Sequence, residues 1–234
     1  MAQLYIVSTP IGNRKDISLR ALEVFESVDY LLAEDTRKTG RLLDHYRQEG
    51  LLTNRPQLIS FYEANEGQRI DEVIRLLKND KNVGLVSNSG TPLISDPGFK
   101  LVRSCIEQKI EVIAVPGASA ILTGLVISGL PTDKFMFLGF LPKKPGKKEK
   151  LLNNIKQILE ILPQTAVFYE SPFRVVKTLE TIKKVIPGAE IIIGRELTKK
   201  FEEVIRGSAK ELIDLLKDKK LKGEIVVMTG LKFL

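Results

Sequence analysis

Residues 83–98 read Val-Gly-Leu-Val-Ser-Asn-Ser-Gly-Thr-Pro-Leu-Ile-Ser-Asp-Pro-Gly. Val83 to Val86 is a short apolar run of the kind that forms a buried parallel strand. It opens into twelve residues rich in Ser, Asn, Gly, Pro and Asp, well beyond the connection of about two to six residues usual in α/β units. Phe99, Leu101, Val102, Cys105 and Ile106 then recur at helix spacing. A strand, a long polar turn and a helix place the turn at the strand's carboxyl end, where open α/β sheets bind ligands. Gly90 permits close backbone approach, while Pro92 and Pro97 stiffen the turn. An ordinary strand-to-helix loop is the plain alternative, and the length of the turn weighs against it.

The composition narrows the possibilities. At 234 residues the chain suffices for one sizeable domain or two small ones. With 43% hydrophobic residues it reads as globular. No apolar run reaches membrane-spanning length, and strand-like Leu4-Tyr5-Ile6-Val7 starts almost at once, so a cytoplasmic protein without a cleaved leader is expected. One Cys (Cys105) and one His (His45) build neither a disulfide nor a Cys/His metal cluster, so no metal site is expected. Cys105 reads as a small core residue, and His45 as a surface or satisfied structural histidine. The net charge of +7 favours a polyanionic partner such as nucleic acid.

In chain order, Gln3 to Ser8 predicts a strand, and Thr9-Pro10-Ile11-Gly12-Asn13 a tight turn. Neither a GxGxxG fingerprint nor a GxxxxGK phosphate loop occurs. Ser18 is placed to cap a helix with Ala21, Leu22, Phe25 and Val28 on its buried stripe. The strand Tyr30 to Ala33 ends in Glu34-Asp35-Thr36-Arg37-Lys38-Thr39, followed by a helix from Gly40 to Gln48. Two readings of this polar run stand side by side. Asp35 or Thr36 caps the helix; or Arg37, Lys38 and Arg41 grip phosphate while Asp35 orients a sugar or base. Gln57 to Phe61 and Glu111 to Val115 predict further strands, with a helix carrying Ile70, Val73, Ile74 and Leu77 before the opening stretch. The alternation of β and α predicts a largely parallel sheet. Pro116-Gly117-Ala118-Ser119-Ala120 turns into the next helix, where Ser119 could act as a cap.

Lys134 to Phe140 predicts a strand that departs from this pattern. Behind it, Leu141 to Lys150 holds five lysines in its last eight residues: Lys143, Lys144, Lys147, Lys148 and Lys150. Two prolines and a glycine suggest a basic, irregular, mobile loop suited to phosphate. A second α/β set follows: a helix from Glu149 to Leu162, a strand from Thr165 to Tyr169, a helix through Val175, Leu179 and Ile182, and a strand from Glu190 to Gly194. Glu203 to Arg206 is a short strand, Ser208 caps a helix through Leu212, Leu215 and Leu216, and Glu224 to Met228 closes the sheet. The domain boundary is expected at 116/117.

Six stretches, taken in order, resemble a known family. They are Leu-Tyr-Ile-Val-x-Thr-Pro-Ile-Gly-Asn (4–13), Ala-Glu-Asp-Thr-Arg (33–37), Ser-x-x-Gly-Thr-Pro-x-Ile-Ser-Asp-Pro-Gly (87–98), Pro-Gly-Ala-Ser-Ala (116–120), Phe-Tyr-Glu-Ser-Pro-x-Arg (168–174) and Gly-Arg-Glu-Leu-Thr-Lys (194–199). Together they span nearly the whole chain. The chain is similar to the bacterial small-subunit ribosomal RNA (cytidine-2′-O-)-methyltransferases, within the tetrapyrrole-methylase-like superfamily. The resemblance implies an α/β fold of two domains with S-adenosylmethionine in the cleft between them, and a homodimer. It implies 2′-O-methylation of a decoding-site cytidine of 16S RNA in the small ribosomal subunit. It implies cofactor contacts at Pro10 and Ile11, at Gly90, Thr91 and Pro92, at Ser119 and Ala120, at Phe168 and Tyr169, and at Leu197 and Ile225, mostly through backbone groups. The chain departs at Asn88, where the family usually has Asp; Asn keeps the hydrogen-bonding shape and loses the charge.

Methyl transfer to a ribose hydroxyl requires that a weak nucleophile be aligned and relieved of its proton. Glu170, Glu196 or Asp35 is expected to take or orient that proton. Arg37, Arg174, Arg195, Lys199 and Lys200 are expected to hold the RNA backbone. Two alternatives remain: a superfamily relative acting on a tetrapyrrole or a modified protein histidine, and a non-catalytic ribosome-assembly factor. A small substrate has less use for a basic surface, and a binding factor leaves the 87–98 turn unexplained.

Overall fold

In a computed structural model residues 2–231 are described, and the chain separates into two compact units, Met1–Ser119 and Ala120–Leu234. The division falls three residues beyond the boundary expected from sequence.

The first unit alternates strictly: β1 (Gln3–Val7), α1 (Leu19–Ser27), β2 (Tyr30–Ala33), α2 (Thr36–Gln48), β3 (Gln57–Ser60), α3 (Glu66–Lys78), β4 (Val83–Val86), α4 (Phe99–Glu107) and β5 (Glu111–Val115). The five strands are all parallel, in the order β3-β2-β4-β1-β5. Their pleat divides the core. Leu31, Ala33 and Val86 face Phe25, Leu43 and Tyr46 of α1 and α2. Leu32 and Leu85 face Val73, Leu77, Leu101 and Cys105 of α3 and α4. Helices thus cover both faces, the arrangement that continuous apolar strands demand. Burial pushes the Cys105 thiol up to about 11, which keeps it an inert core group. The turns after β1, β2, β4 and β5 open at one end of the sheet.

The second unit contains α5 (Ala120–Ser128), β6 (Phe135–Phe140), α6 (Pro145–Ile161), β7 (Thr165–Glu170), α7 (Val175–Val185), β8 (Ala189–Arg195), β9 (Glu203–Ser208), α8 (Ala209–Leu216) and β10 (Ile225–Leu231). Its sheet runs β6-β7-β10-β8-β9. β6 and β7 are parallel, and β10 lies antiparallel between β7 and β8. The strand expected to close the sheet therefore sits at its centre. Leu152, Leu179 and Leu212, from α6, α7 and α8, pack on Phe168, Ile193 and Val227. On the other face, a Cβ at Gly124 of α5 would fall 2.9 Å from Val226 Cγ1, so helix and strand touch backbone-close there. Among the described residues no helix is long and apolar enough to cross a membrane.

One expectation is overturned. The lysine-rich stretch does not stay irregular, because α6 starts at Pro145, and proline is favoured in a helix's first turn, where its missing N–H is no loss.

Candidate functional site

In the first unit three turns are stitched together at the carboxyl end of the sheet. Thr9 and Gly90 exchange backbone hydrogen bonds, with Thr9 N–H donating over 2.9 Å and Gly90 N–H over 3.1 Å. The Ser8 hydroxyl donates to Thr91 Oγ1 (3.1 Å), which donates to the Ala118 carbonyl (3.2 Å). Gly90 has φ +80°, and a Cβ there would sit 3.1 Å from Ile11 Cγ2 and 3.6 Å from the Ala118 oxygen. Pro10, Ile11, Gly90, Thr91 and the turn up to Ser119 therefore meet at one place, with Pro92 buried beside them. Ala120 begins α5 in the second unit.

The 87–98 turn carries two signs of a ligand site. Asn88 Oδ1 is buried without a hydrogen-bond partner among the described residues, a costly state for a carbonyl oxygen and one that an N–H or O–H donor would relieve. Leu93 and Ser95 hold φ of 71° and 66°, a left-handed conformation that side chains resist and that concentrates at functional sites. Ser87 Oγ donates to the carbonyls of Ser89 (3.2 Å) and Gly90 (3.4 Å), bracing the turn from inside. The buried Glu66 accepts from Gly98 N–H (3.0 Å) and anchors its far end.

A carboxylate in this turn was passed over by the sequence reading. Burial, then repulsion from Glu34, push the Asp96 carboxyl up to about 6, against the pull of a hydrogen bond from Ser87. Asp96 lies inside a quoted motif, but the signal that singles it out is environmental and has no counterpart in residue type.

The three carboxylates favoured from sequence have other posts. Asp35 is the N-cap of α2, its Oδ1 accepting from the N–H groups of Arg37 (3.0 Å) and Lys38 (3.3 Å). Burial opposes its charge, but those donors and the nearby cations outweigh it and hold the carboxyl below its usual value. Glu170 is fully buried, and both its oxygens are occupied. Oε1 takes Arg174 Nη2 (2.6 Å) and Ser171 N–H (2.7 Å); Oε2 takes the Thr178 hydroxyl (2.6 Å), with Lys148 Nζ at 3.9 Å. Glu196, at φ 50°, accepts from Lys199 Nζ and Glu224 N–H, each at 2.8 Å. Burial raises its carboxyl, yet Lys199 and the Glu224 N–H bring it below its ordinary value. All three carboxylates are anchored by donors of the fold.

The expected RNA contacts divide in the same way. Lys148 is a correction. It is only 5% exposed, its Nζ donates to Thr178 Oγ1 (2.6 Å), and burial lowers its pKa, so it does not meet RNA. Arg174 is spent on Glu170, Arg195 on Glu203 (2.9 Å), and Lys199 on Glu196 and Glu224 (2.9 Å). Lys38, Lys143, Lys144, Lys147 and Lys200 remain exposed. Arg37 and Arg41 line an open groove of about 780 Å³ that also holds Arg55, Asp35 and Asp44. Arg55, missed from sequence, pairs with Asp44 at 3.1 Å.

Of the expected cofactor contacts in the second unit, Phe168, Leu197 and Ile225 are buried core side chains. Tyr169 is half-buried, its ring edge-on to Phe137 (5.1 Å).

The profile of the family described as Tetrapyrrole (Corrin/Porphyrin) Methylases matches residues 3–213. A Hydrogenobaculum protein named "Ribosomal RNA small subunit methyltransferase I" is 44% identical over 227 residues, covering 97% of this chain and 94% of the relative. A Thermotoga maritima protein of the same name is 45% identical over 231 residues, covering 98% and 99%. Among solved structures, the Thermus thermophilus uroporphyrin-III C-methyltransferase complexed with S-adenosylhomocysteine aligns with a TM-score of 0.64 at 14% identity, covering 98% of this chain and 97% of that one. At that identity the likeness concerns the fold.

Proposed function

Because the chain belongs to the tetrapyrrole (corrin/porphyrin) methylase family, we propose that it uses S-adenosylmethionine to methylate the 2′-hydroxyl of a decoding-site cytidine in 16S ribosomal RNA of the small subunit. The observation that carries this reading is the near-full-length identity to proteins named for a small-subunit RNA methyltransferase. The unpartnered Asn88 oxygen supports a resident ligand with hydrogen-bond donors, which suits this cofactor.

When bound, S-adenosylmethionine supplies an electrophilic methyl group. Asn88 would accept a hydrogen bond from it, and Pro10, Ile11, Gly90, Thr91, Pro92, Ser119 and Ala120 would hold it. Phe168, Tyr169, Leu197 and Ile225 of the second unit belong to the same proposed cofactor set. Asp96, its carboxyl raised to about 6 by burial and by Glu34, would take the proton from the ribose hydroxyl. Asp35, Glu170 and Glu196 position the turns. Arg37, Arg41 and Arg55 hold phosphate, as do Lys38, Lys143, Lys144, Lys147 and Lys200. The protein works in the cytoplasm as a homodimer, with Leu122 and Val126 of α5 offering an apolar face to the second copy.

The test is transfer of radiolabelled methyl to small subunits lacking the modification, with naked RNA and protein-only controls, followed by mapping of the label. Label on a cytidine 2′-oxygen is the expected result. Cofactor binding without label on RNA would redirect the reading to a small ring compound or a protein substrate. Neither binding nor label would leave an assembly factor.

A further inference from the structure

Three strands of the second unit's sheet end side by side, and the fold leaves in water one phenylalanine at the end of the first and one in the loop after each of the other two. β6 and β7 run parallel, and β8 runs parallel to β7 because β10 is antiparallel to both. The register aligns their ends. Phe140 pairs with Tyr169, while Glu170 and Arg195 both pair with Ile225. The segments after Phe140, Glu170 and Arg195 therefore emerge side by side, with β7 and β8 about 10 Å apart across β10. Phe173 is 88% exposed, Phe201 66% and Phe140 58%.

The loops that carry Phe173 and Phe201 are held stiffly. Ser171 accepts from the N–H groups of Phe173 (3.3 Å), Arg174 (2.9 Å) and Val175 (3.0 Å), and Arg174 is clamped by the buried Glu170. The other loop is closed by Lys199 N–H on the Glu196 carbonyl (3.0 Å), by Glu202 N–H on the Lys199 carbonyl (3.1 Å), and by Lys199 between two carboxylates. Rings at this exposure bury little area and add little to folding. Cations lie near them: Lys200 Nζ stands 5.7 Å from the Phe201 ring centre, and the exposed Lys143 and Lys144 follow Phe140 after Leu141 and Pro142.

Aromatic faces interleaved with unpaired cations suit stacked bases on a backbone of phosphates. We propose that Phe173 and Phe201 form a stacking platform for unpaired nucleotides of the RNA substrate, so that the enzyme takes its target from a single-stranded or opened segment. This rests on the RNA reading above and adds the form of RNA recognised. A duplex buries its base faces and offers these rings nothing.

The experiment measures binding of fluorescein-labelled oligocytidylate and of an RNA duplex of equal length to the full chain at fixed salt. Base stacking on an aromatic ring contributes about 1–3 kcal/mol, so Phe173→Ala and Phe201→Ala should each weaken single-strand binding by about fivefold or more and leave duplex binding within about twofold. Phe173→Trp should retain affinity and Phe173→Leu should not, which separates stacking from mere apolar contact. Cofactor affinity and circular dichroism should stay unchanged. The proposal is overturned if the Ala variants bind the single strand like wild type, if both probes weaken alike, if Leu serves as well as Phe, or if neither probe binds. A change in oligomeric state with RNA affinity intact would assign the rings to a second copy instead. Ring-dependent single-strand binding without methyl transfer to small subunits would sink the enzymatic reading and keep the platform; transfer indifferent to both rings would do the reverse.

Discussion

Asp96 carries a carboxyl held near 6 by burial and by Glu34, and that has a consequence for stability as well as for proton transfer. In the unfolded chain it titrates near 3.8, so between about pH 4 and 6 the folded state binds more protons than the unfolded state. Folded-state stability therefore falls as pH rises through that window, and the penalty stays in place above it. Asp96→Asn should melt higher than wild type at pH 7.5, with the gap closing toward pH 4, while methyl transfer drops at least tenfold. Thermal melts across pH and single-turnover transfer would check both. A parallel loss of melting temperature and activity would make Asp96 a structural residue. Glu170 is the opposite case. Glu170→Gln leaves Lys148 buried without its counter-charge and should cost about 3–5 kcal/mol by urea denaturation. Lys148→Met should cost much less, because Glu170 keeps Arg174, Thr178 and the Ser171 N–H. If Glu170→Gln instead kept the wild-type midpoint while abolishing transfer, Glu170 would return as the base. Residue type alone separates none of these carboxylates; burial and donors do, and those belong to the folded chain.

Among the elements, the helices and strands of the first unit were legible because periodicity and caps agreed. Ser18 accepts from Ala21 N–H as expected, and Tyr30–Ala33 and Val83–Val86 occupy the expected spans. The first turn of α2 lies outside the helix expected from Gly40, although Asp35 was one of the caps weighed; its capping bonds to Arg37 and Lys38 start the helix at Thr36. The start of α6 was missed although it was readable. Lys148, Leu152, Ile155 and Leu159 are the buried positions of that helix, spaced four, three and four residues apart. A proline taken as a breaker hid a stripe that begins with a lysine. At α8 the sequence signal was complete. Ser208 Oγ accepts from Glu211 N–H (3.3 Å) and Glu211 Oε2 accepts from Ser208 N–H (2.8 Å). Ser208→Ala should cost about 1 kcal/mol, read as a lower urea midpoint at unchanged slope.

For the molecule as a whole, the charge of +7 sets an electrostatic expectation that is independent of any one contact. RNA affinity should fall steeply with salt, because each phosphate neutralised releases a counterion. Replacing Lys143, Lys144 and Lys147 together by Gln should flatten the salt slope by about two to three units on logarithmic axes, given about 0.7 to 0.9 per phosphate contact. Filter binding from low to moderate salt would measure it, and an unchanged slope would remove those lysines from the interface. The α/β class was open to sequence reading because β and α alternate along the chain. The central place of β10 was not, since strand order is set by long-range pairing and leaves no local trace.

That central place bears on how the protein comes to exist during translation. Every strand of the first unit lies before residue 116, so its sheet can assemble while the remainder is still being polymerised. β7 and β8 have no direct pairing with each other; residues 225–231 join them, and these are synthesised after both. Until they leave the exit tunnel, two apolar strand edges stay open, a state prone to wrong pairing and aggregation. Nascent chains stalled before residue 225 should resist protease in the first half and be digested in the second. Release of the finished strand should then protect both halves together, so the half bearing the aromatic platform matures only after synthesis has passed its final strand.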